Sequence, residues 1–299
     1  MILEHTIGTE DAGRPLKYIL KSRLQLSTRL MKKLKGQSRI LINDMPVKVN
    51  YIANENDKLK VLLELEEDCE HIEPQNIPID IIYEDDCLLV INKQPGIVVH
   101  PTFSHPDSTI ANGIVYHLKQ QGISKKVRPV SRLDRDTSGI IIFAKNQFAQ
   151  EMLIRQMHDN VFQKEYIGIA QGMPSSKSGT IDLPIERKPD SIMLRHISDT
   201  GAPSITHYEV LETFPSYNAA LLRFKLETGR THQIRVHCLA MGFPIYGDTL
   251  YTDRTDFLIS RQALHSHITK IIHPETQKEV IFTAGIPADI KNTLEIMRS

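Results

Sequence analysis

The segment 128–145 reads RPVSRLDRDTSGIIIFAK, and it joins a highly polar loop to an apolar strand. Arg132, Asp134, Arg135 and Asp136 lie in the loop, directly before the predicted strand. A carboxylate held at a strand end among arginines can stay ionised at neutral pH, so it can act as a nucleophile or a base. The Thr-Ser-Gly that follows can bond to the loop backbone and fix the direction of the carboxylate. The same composition also suits an ordinary surface turn with ion pairs.

Two further segments carry candidate functional side chains. In the predicted strand KEYIGIAQG, alternation places only small residues beside Tyr166 on its face, which leaves room for a flat ring. Packing within a sheet is the alternative for this tyrosine. In ETGRTHQIRVHC, Thr231 is predicted to cap a helix whose start carries Arg230, His232 and Arg235 and whose inner face includes the later Met241. Charged donors there suit a carboxylate or a phosphate, or simply form a solvated helix start.

The chain has no net formal charge, with 36 basic and 36 acidic side chains, but the charge is segregated. Ten basic residues and one acidic residue lie within 14–48, and twelve acidic and two basic residues lie within 55–86. The first segment suits an anionic partner, although two solvated faces that balance for solubility fit the counts equally well. Apolar spacing predicts two short helices there, the second capped by Ser27, followed by a hairpin that turns at Asn43-Asp44.

The patterning predicts two domains. Residues 1–70 form a small α+β domain, residues 71–78 a linker, and residues 79–299 a larger α+β domain. Strands and helices of the larger domain do not alternate regularly, so a mixed, mainly antiparallel sheet is expected. No run approaches the ~20 apolar residues of a membrane helix, and the first residues lack the layout of a signal peptide. The three cysteines are odd in number and scattered, which argues against a disulfide scaffold. A cytoplasmic protein without membrane contact is expected.

Taken together, the motifs resemble those of the RluA-type pseudouridine synthases. The opening Y-E-D-x-x-L-L-V-I-N-K-x-P-G stretch of that family is found at residues 83–96. The R-L-D-x-x-T-S-G motif is found at 132–139 and the K-x-Y strand at 164–166. The T-G-R-x-H-Q-I-R-V-H motif follows at 228–237, and G-x-P-I-x-G-D at 242–248. Several separate motifs in the same order make chance agreement very improbable.

This resemblance implies that the protein isomerises uridine in RNA to pseudouridine: the bond from ribose to nitrogen breaks, the uracil turns, and a carbon–carbon bond forms. It implies Asp134 as the nucleophile or base, Tyr166 as the ring that stacks on the uracil, and Arg235 as the ion-pair partner of Asp134. Whether the aspartate adds to the ribose, adds to the uracil or removes a ribose proton stays open. Arg132 would take the space that the flipped uridine leaves.

Residues 12–65 resemble the small RNA-binding domain named after ribosomal protein S-four, through L-S-T-R, K-K-L and I-N-D-x-P-V-K-V-N. RNA is therefore the implied partner, with large-subunit ribosomal RNA first and transfer RNA second, and a monomer is expected. The side chains implied in RNA contact are Arg23, Arg29, Lys32, Lys33 and Arg39 in this segment, and Arg132, Arg230 and His232 in the larger domain.

The implied reaction conserves every atom and is redox-neutral, so no cofactor and no metal are expected. The chain has no dinucleotide or P-loop motif, and its histidines and cysteines lack a recognised zinc spacing. Ser131 stands where many members of the family have histidine, and Gln94 departs from the usual K-P-x-G. Two alternatives compete with a synthase: a glycoside hydrolase that uses Asp134 and Asp136 as paired carboxylates, and a non-enzymatic RNA-binding or assembly factor on the same fold.

Overall fold

The computed structural model describes residues 1–65, 72–254 and 257–299. Residues 1–65, called here the N-terminal unit, form a four-stranded antiparallel sheet that packs against two helices. Its elements in chain order are β1 Ile2–Thr6, α1 Leu16–Ser22, α2 Thr28–Gly36, β2 Ile40–Ile42, β3 Met45–Pro46 and β4 Lys58–Leu62. The strands pair in the order β1-β4-β2-β3.

Local sequence explains the second helix and the hairpin of this unit. The Ser27 hydroxyl accepts a hydrogen bond from the Leu30 N–H at 3.1 Å and caps α2, as predicted. Asn43 and Asp44 have φ angles of 51° and 65°, and such a pair forms the two-residue turn that a tight hairpin needs. The second strand of the hairpin is shorter than predicted, because it ends at Pro46 and the valines that follow pack on the core from outside the sheet.

A ten-stranded sheet organises the larger part of the chain. The elements that follow β4 are β5 Asp80–Glu84, β6 Leu88–Lys93, α3 Ile110–Gln120, β7 Arg128–Pro129, β8 Ser138–Ala144, α4 Gln147–His158, β9 Gln163–Gln171, β10 Ser178–Asp182, β11 Ile185–Arg187, β12 Arg195–Ile197, β13 Ile205–Phe214, β14 Ala219–Leu226, α5 Gln233–Ala240, β15 Leu264–Ile272, β16 Glu279–Thr283 and α6 Ala288–Arg298.

The large sheet has the order β10-β13-β14-β9-β15-β8-β6-β5, with β16 paired to β15 and β7 paired to β8. β11 and β12 form a separate hairpin. Within the large sheet β15 and β8 run parallel, and the other pairs of described strands are antiparallel. This topology confirms the mixed, mainly antiparallel α+β class that the sequence predicts.

One strand predicted from the sequence is absent. The apolar run Ile-Val-Val at 97–99, after the turn at Pro95-Gly96, predicts a third strand in this region, but residues 97–100 are irregular. The Val98 carbonyl accepts a hydrogen bond from the Ile110 N–H, and the Val99 carbonyl accepts one from the Ala111 N–H, both at 3.0 Å. The first turn of α3 therefore satisfies these carbonyls in place of a neighbouring strand.

Helix α4 joins the N-terminal unit to the large sheet. Phe148 packs in the apolar core of the N-terminal unit, and other α4 side chains pack against the large sheet. Glu151 Oε1 accepts a hydrogen bond from the Ser27 hydroxyl at 2.9 Å. Arg155 Nη2 donates to the Gln25 carbonyl at 3.1 Å. One helix thus contributes to both cores.

The segment between the two parts of the fold is only partly described. Residues 66–71 and Cys69 within them, at the end of the predicted first domain and the start of the predicted linker, lie outside the described residues. Residues 72–78 lie along α3, where Asn112 Nδ2 donates to the Glu73 carbonyl at 2.8 Å and the Gln75 N–H donates to the Asn112 carbonyl at 3.2 Å. None of the described helices combines the length and the apolarity needed to cross a bilayer.

Candidate active site

Two adjoining cavities meet at the loop that precedes β8. The first cavity, with a volume of about 730 Å³, is lined by Lys164 and Tyr166 of β9 and by the start of α5. The second cavity, of about 860 Å³, is lined by His100, Thr102 and other residues between β6 and α3. Asp134 lines both cavities, and 24% of its side chain is exposed. The carboxylate that the sequence singles out is therefore accessible from two sides.

Arg235 connects Asp134 to a second, buried carboxylate. Its Nη1 donates to Asp134 Oδ2 at 3.0 Å, while Nε and Nη2 donate to the two oxygens of Asp248 at 2.6 and 2.8 Å. Burial alone would lower the pKa of Arg235, but the hydrogen bonds and charges of Asp248 and Asp134 raise it above its usual range. The guanidinium also lies 5.1 Å from the ring centre of Tyr251. The structure brings the predicted pair together and adds Asp248, which the sequence analysis missed.

Two buried basic side chains hold the Asp134 loop by its backbone. Lys93 Nζ donates to the Arg135 carbonyl at 2.8 Å, and Arg261 Nη1 donates to the Asp136 carbonyl at 2.9 Å. Lys93 is fully buried, and burial lowers its pKa to about 7. Neither side chain was assigned a role from the sequence. The signal that could have indicated them is their place in stretches that resemble the family, N-K-x-P-G for Lys93 and R-Q-x-L-H for Arg261.

The backbone of β15 aligns this loop with Tyr166. Gly139 has a φ of 107°, and a Cβ there would lie 2.2 Å from the Ser266 carbonyl oxygen, so only glycine permits this approach of β8 to β15. Ser266 is also the register partner of Tyr166 on β9, and its side chain hydrogen-bonds to the phenol. Burial raises the pKa of Tyr166 above its usual range, so the phenol stays neutral.

The open space predicted beside Tyr166 is not present above Gly168. A Cβ on Gly168 would lie 3.1 Å from Leu264 Cδ1 and 3.1 Å from Phe224 Cε2. Neighbouring strands fill the space that this small residue leaves on its own strand, so Gly168 does not supply the room beside Tyr166. Tyr166 nevertheless lines the first cavity, together with Lys164, whose pKa burial lowers to about 8.

The start of α5 differs from the sequence prediction. The residue before the helix is His232, with a φ of 57° and no side-chain cap, so Thr231 is not the cap residue. Gln233 instead braces the loop before the helix, because its Oε1 accepts a hydrogen bond from the Arg230 N–H at 2.9 Å. Met241 was expected to face inward, but its side chain is exposed beyond the end of the helix. The helix therefore begins without the predicted threonine cap.

His232 lies between the Tyr251 phenol and Asp134. The Arg195 N–H donates to the Tyr251 hydroxyl oxygen at 3.0 Å, and that oxygen lies 2.8 Å from His232 Nδ1. The other ring nitrogen, Nε2, lies 3.8 Å from Asp134 Oδ2. Burial lowers the pKa of His232, which favours the neutral imidazole.

The predicted RNA-contact residues lie at several places. Arg132 is exposed, lines both cavities and makes no ion pair with a described residue. Arg230 is exposed at the first cavity, where its Nε donates to the Pro203 carbonyl at 3.2 Å. On the N-terminal unit, Arg29 and Lys32 are exposed, whereas Lys33 and Arg39 are half-buried. Arg23 forms an ion pair with the buried Asp11 at 2.7 Å.

Comparison with known proteins identifies the family. Residues 87–240 match the family described as RNA pseudouridylate synthase, and this range contains Asp134, Tyr166 and Arg235. The chain is 40% identical to the RNA pseudouridine synthase YjbO of Bacillus subtilis, over 91% of this chain and 95% of that protein. The chain belongs to the RNA pseudouridylate synthase family. The synthase is an isomerase that converts uridine in RNA to pseudouridine.

Other relatives agree with this assignment. The synthase is 34% identical to ribosomal large subunit pseudouridine synthase D of Haemophilus influenzae, over 81% of this chain and 78% of that protein. Its fold is similar to that of human RNA pseudouridylate synthase domain containing 4, with a TM-score of 0.60 over 73% of this chain and 93% of that chain at 22% identity. Asp136, which the glycoside hydrolase alternative pairs with Asp134, forms an ion pair with Arg135 at 3.0 Å.

Proposed function

We propose that the synthase modifies uridines of large-subunit ribosomal RNA and that Asp134 is its nucleophile or base. The assignment of Asp134 as nucleophile or base rests on its position. Arg235 binds Asp134 Oδ2, Oδ1 has no ion-pair partner among the described residues, and the side chain lines both cavities. The choice of RNA is supported by relatives named ribosomal large subunit pseudouridine synthase D in Haemophilus influenzae and Escherichia coli.

The isomerisation breaks the bond between uracil N1 and ribose C1′ and forms one between C5 and C1′. A proton leaves C5 and a proton is gained at N1, so atoms and electrons balance. Each of the three possible roles of the aspartate requires its ionised form, and Arg235 supplies a fixed positive charge at 3.0 Å. Tyr166, neutral because it is buried, would stack on the uracil in the first cavity and exchange a proton with it.

The N-terminal unit would bind structured RNA through its basic helix, as an S-four-like domain that spans residues 1–70. Arg29 and Lys32 are exposed on α2 and suit contacts to phosphates, which give affinity without sequence choice. Arg132, exposed between the two cavities, would enter the space from which the uridine flips. The remaining predicted contacts are Arg23, Lys33, Arg39, Arg230 and His232.

The synthase would act as a monomer in the cytoplasm. The side chains around Asp134 all come from a single chain, so the site needs no second copy. A ribosomal RNA substrate would place the enzyme in the compartment where ribosomes are assembled.

Pseudouridine mapping of total RNA tests the proposal. RNA from cells with and without the gene is labelled chemically, and the mutant cells are complemented with wild type, Asp134→Asn or Asp199→Asn. We expect a few sites in large-subunit ribosomal RNA to disappear and to be restored by wild type and by Asp199→Asn, because Asp199 is exposed after β12 and lines neither cavity. Restoration by Asp134→Asn would contradict the role of Asp134, and loss confined to transfer RNA would contradict the proposed target.

A further inference from the structure

We propose that the second cavity binds the base of an unpaired nucleotide adjacent to the target uridine, and that Phe103 stacks on this base. The inference deepens the proposed function and rests on it, because it places the target uridine at Asp134. It assigns a role to a cavity and to an exposed aromatic side chain that the chemistry at Asp134 does not use.

Phe103 is held in the open by a tight turn at the rim of the second cavity. The Thr102 N–H donates to the His105 carbonyl at 2.8 Å, and the His105 N–H donates to the Thr102 carbonyl at 3.1 Å. Phe103 and Ser104 therefore form a two-residue turn whose closing residues both line the cavity. The Phe103 side chain is fully exposed. These bonds hold the backbone at Phe103, and an exposed aromatic ring beside a polar cleft is suited to stacking on a base.

A second loop adds an apolar side chain to the same cavity. Met193, in the loop between β11 and β12, lines the cavity and is 57% exposed. This loop is tied to the site, since the Arg195 N–H binds the Tyr251 hydroxyl that contacts His232. Met193 thus lines the cavity from one loop, and Phe103 lies in the turn whose closing residues line it from another.

The charge of the cavity favours a nucleotide as its occupant. Its lining contains four arginines and three aspartates. Arg132 is exposed and has no ion pair with a described residue, whereas Arg135 pairs with Asp136 at 3.0 Å. The cavity also contains Asp134 in its wall, so a nucleotide bound there would be a near neighbour of the uridine under attack. Guanidinium groups and an aromatic ring are the combination that binds phosphate and base of a single-stranded segment.

A tryptophan probe tests the stacking directly, because the chain contains no tryptophan. The probe RNA is total RNA from cells that lack the gene, which contains the target in unmodified form. In Phe103→Trp combined with Asp134→Asn, which prevents turnover, we expect this RNA to quench the emission. Ile281→Trp with Asp134→Asn is the control, since Ile281 is exposed on β16 and lines neither cavity. Equal emission changes in the two proteins would overturn the proposal.

Turnover provides a second test that separates this proposal from the proposed function. The same RNA, labelled with tritium at uracil C5, releases tritium when C5 loses its hydrogen. We expect Phe103→Ala to raise KM about tenfold with little change in kcat, Phe103→Trp to retain the wild-type KM, and Ile281→Ala to match wild type. A wild-type KM for Phe103→Ala overturns the stacking role alone. Tritium release by Asp134→Asn would instead overturn the proposed function.

Discussion

At the scale of single residues, the site is organised around one arginine shared by two carboxylates. Asp248 binds Arg235 through both of its oxygens and is itself 2% exposed, so the guanidinium has a fixed orientation. Only Nη1 remains directed at Asp134. We infer that Asp248 is a positioning residue, which acts on the aspartate through Arg235. His232 lies on the other side of the same carboxylate oxygen, at 3.8 Å.

Burial of Lys93 should make the stability of the protein depend on pH. Its pKa is about 7 in the folded protein against an ordinary value of 10.5, so between these values the unfolded chain binds a proton that the folded chain does not. The contribution of Lys93 to the free energy of unfolding is therefore lost as the pH falls from 10.5 to 7. In urea unfolding, the free energy of wild type minus that of Lys93→Met should rise by ~1.4 kcal/mol per pH unit within this window. The exposed Lys291→Met is the control, and parallel curves for wild type and Lys93→Met would contradict the prediction.

At the scale of elements, α4 packs against the N-terminal unit and also lines the first cavity. Its first half contacts the N-terminal unit through Phe148 and Glu151. Its last residues, Met157 and His158, line the first cavity. Helix α4 therefore contributes to the relative position of the basic helix α2 and the first cavity, and a change in the α4 contacts should affect both ends.

The substitution Phe148→Ala tests whether α4 holds the N-terminal unit against the rest of the fold. Phe148 is 5% exposed and packs in the core of the N-terminal unit, so its truncation leaves a cavity between the two parts of the fold. We expect urea unfolding to show a loss of ~3–5 kcal/mol. Ile154→Ala on the same helix, where the side chain is 49% exposed, should change stability by no more than ~0.5 kcal/mol. Equal effects of the two substitutions would show that α4 is not an anchor.

At the scale of the whole molecule, the chain has no net charge, but one of its segments is strongly basic. This basic segment, 14–48, forms α1, α2 and the first hairpin, and the acidic segment 55–86 follows it in sequence. Within this region Arg23 is tied to Asp11, whereas Arg29 and Lys32 are exposed on α2. A polyanion would therefore meet the N-terminal unit and the cleft around Asp134 as two separate contact areas.

The salt dependence of RNA binding tests the contribution of the N-terminal unit. Removing two phosphate contacts in Arg29→Gln combined with Lys32→Gln should reduce the slope of log Kd against log salt concentration by ~1.5. Binding is measured with total RNA from cells lacking the gene. The control is Lys119→Gln combined with Lys291→Gln, which removes the same charge from two exposed helix positions elsewhere. Identical slopes for the two double variants would show that the basic helix is only a solvated face.

The sequence by itself determined the features that depend on a few adjacent residues. Ser27 caps α2 and Asn43-Asp44 turns the hairpin because these side chains and backbone angles act within three residues. Asp134, Tyr166 and Arg235 could be named because each lies in a motif with a recognisable order. The mixed α+β class followed from strand and helix patterns that do not alternate.

Only the tertiary structure decided which side chains meet. Arg235 reaches Asp134 across 101 residues of sequence, and Arg261 reaches the Asp136 carbonyl across 125. The space above Gly168 is filled from neighbouring strands, and α4 takes part in two cores. The physical reason is that a cap or turn depends on local dihedral angles, whereas these contacts depend on sheet order and register, which bring distant segments to one place.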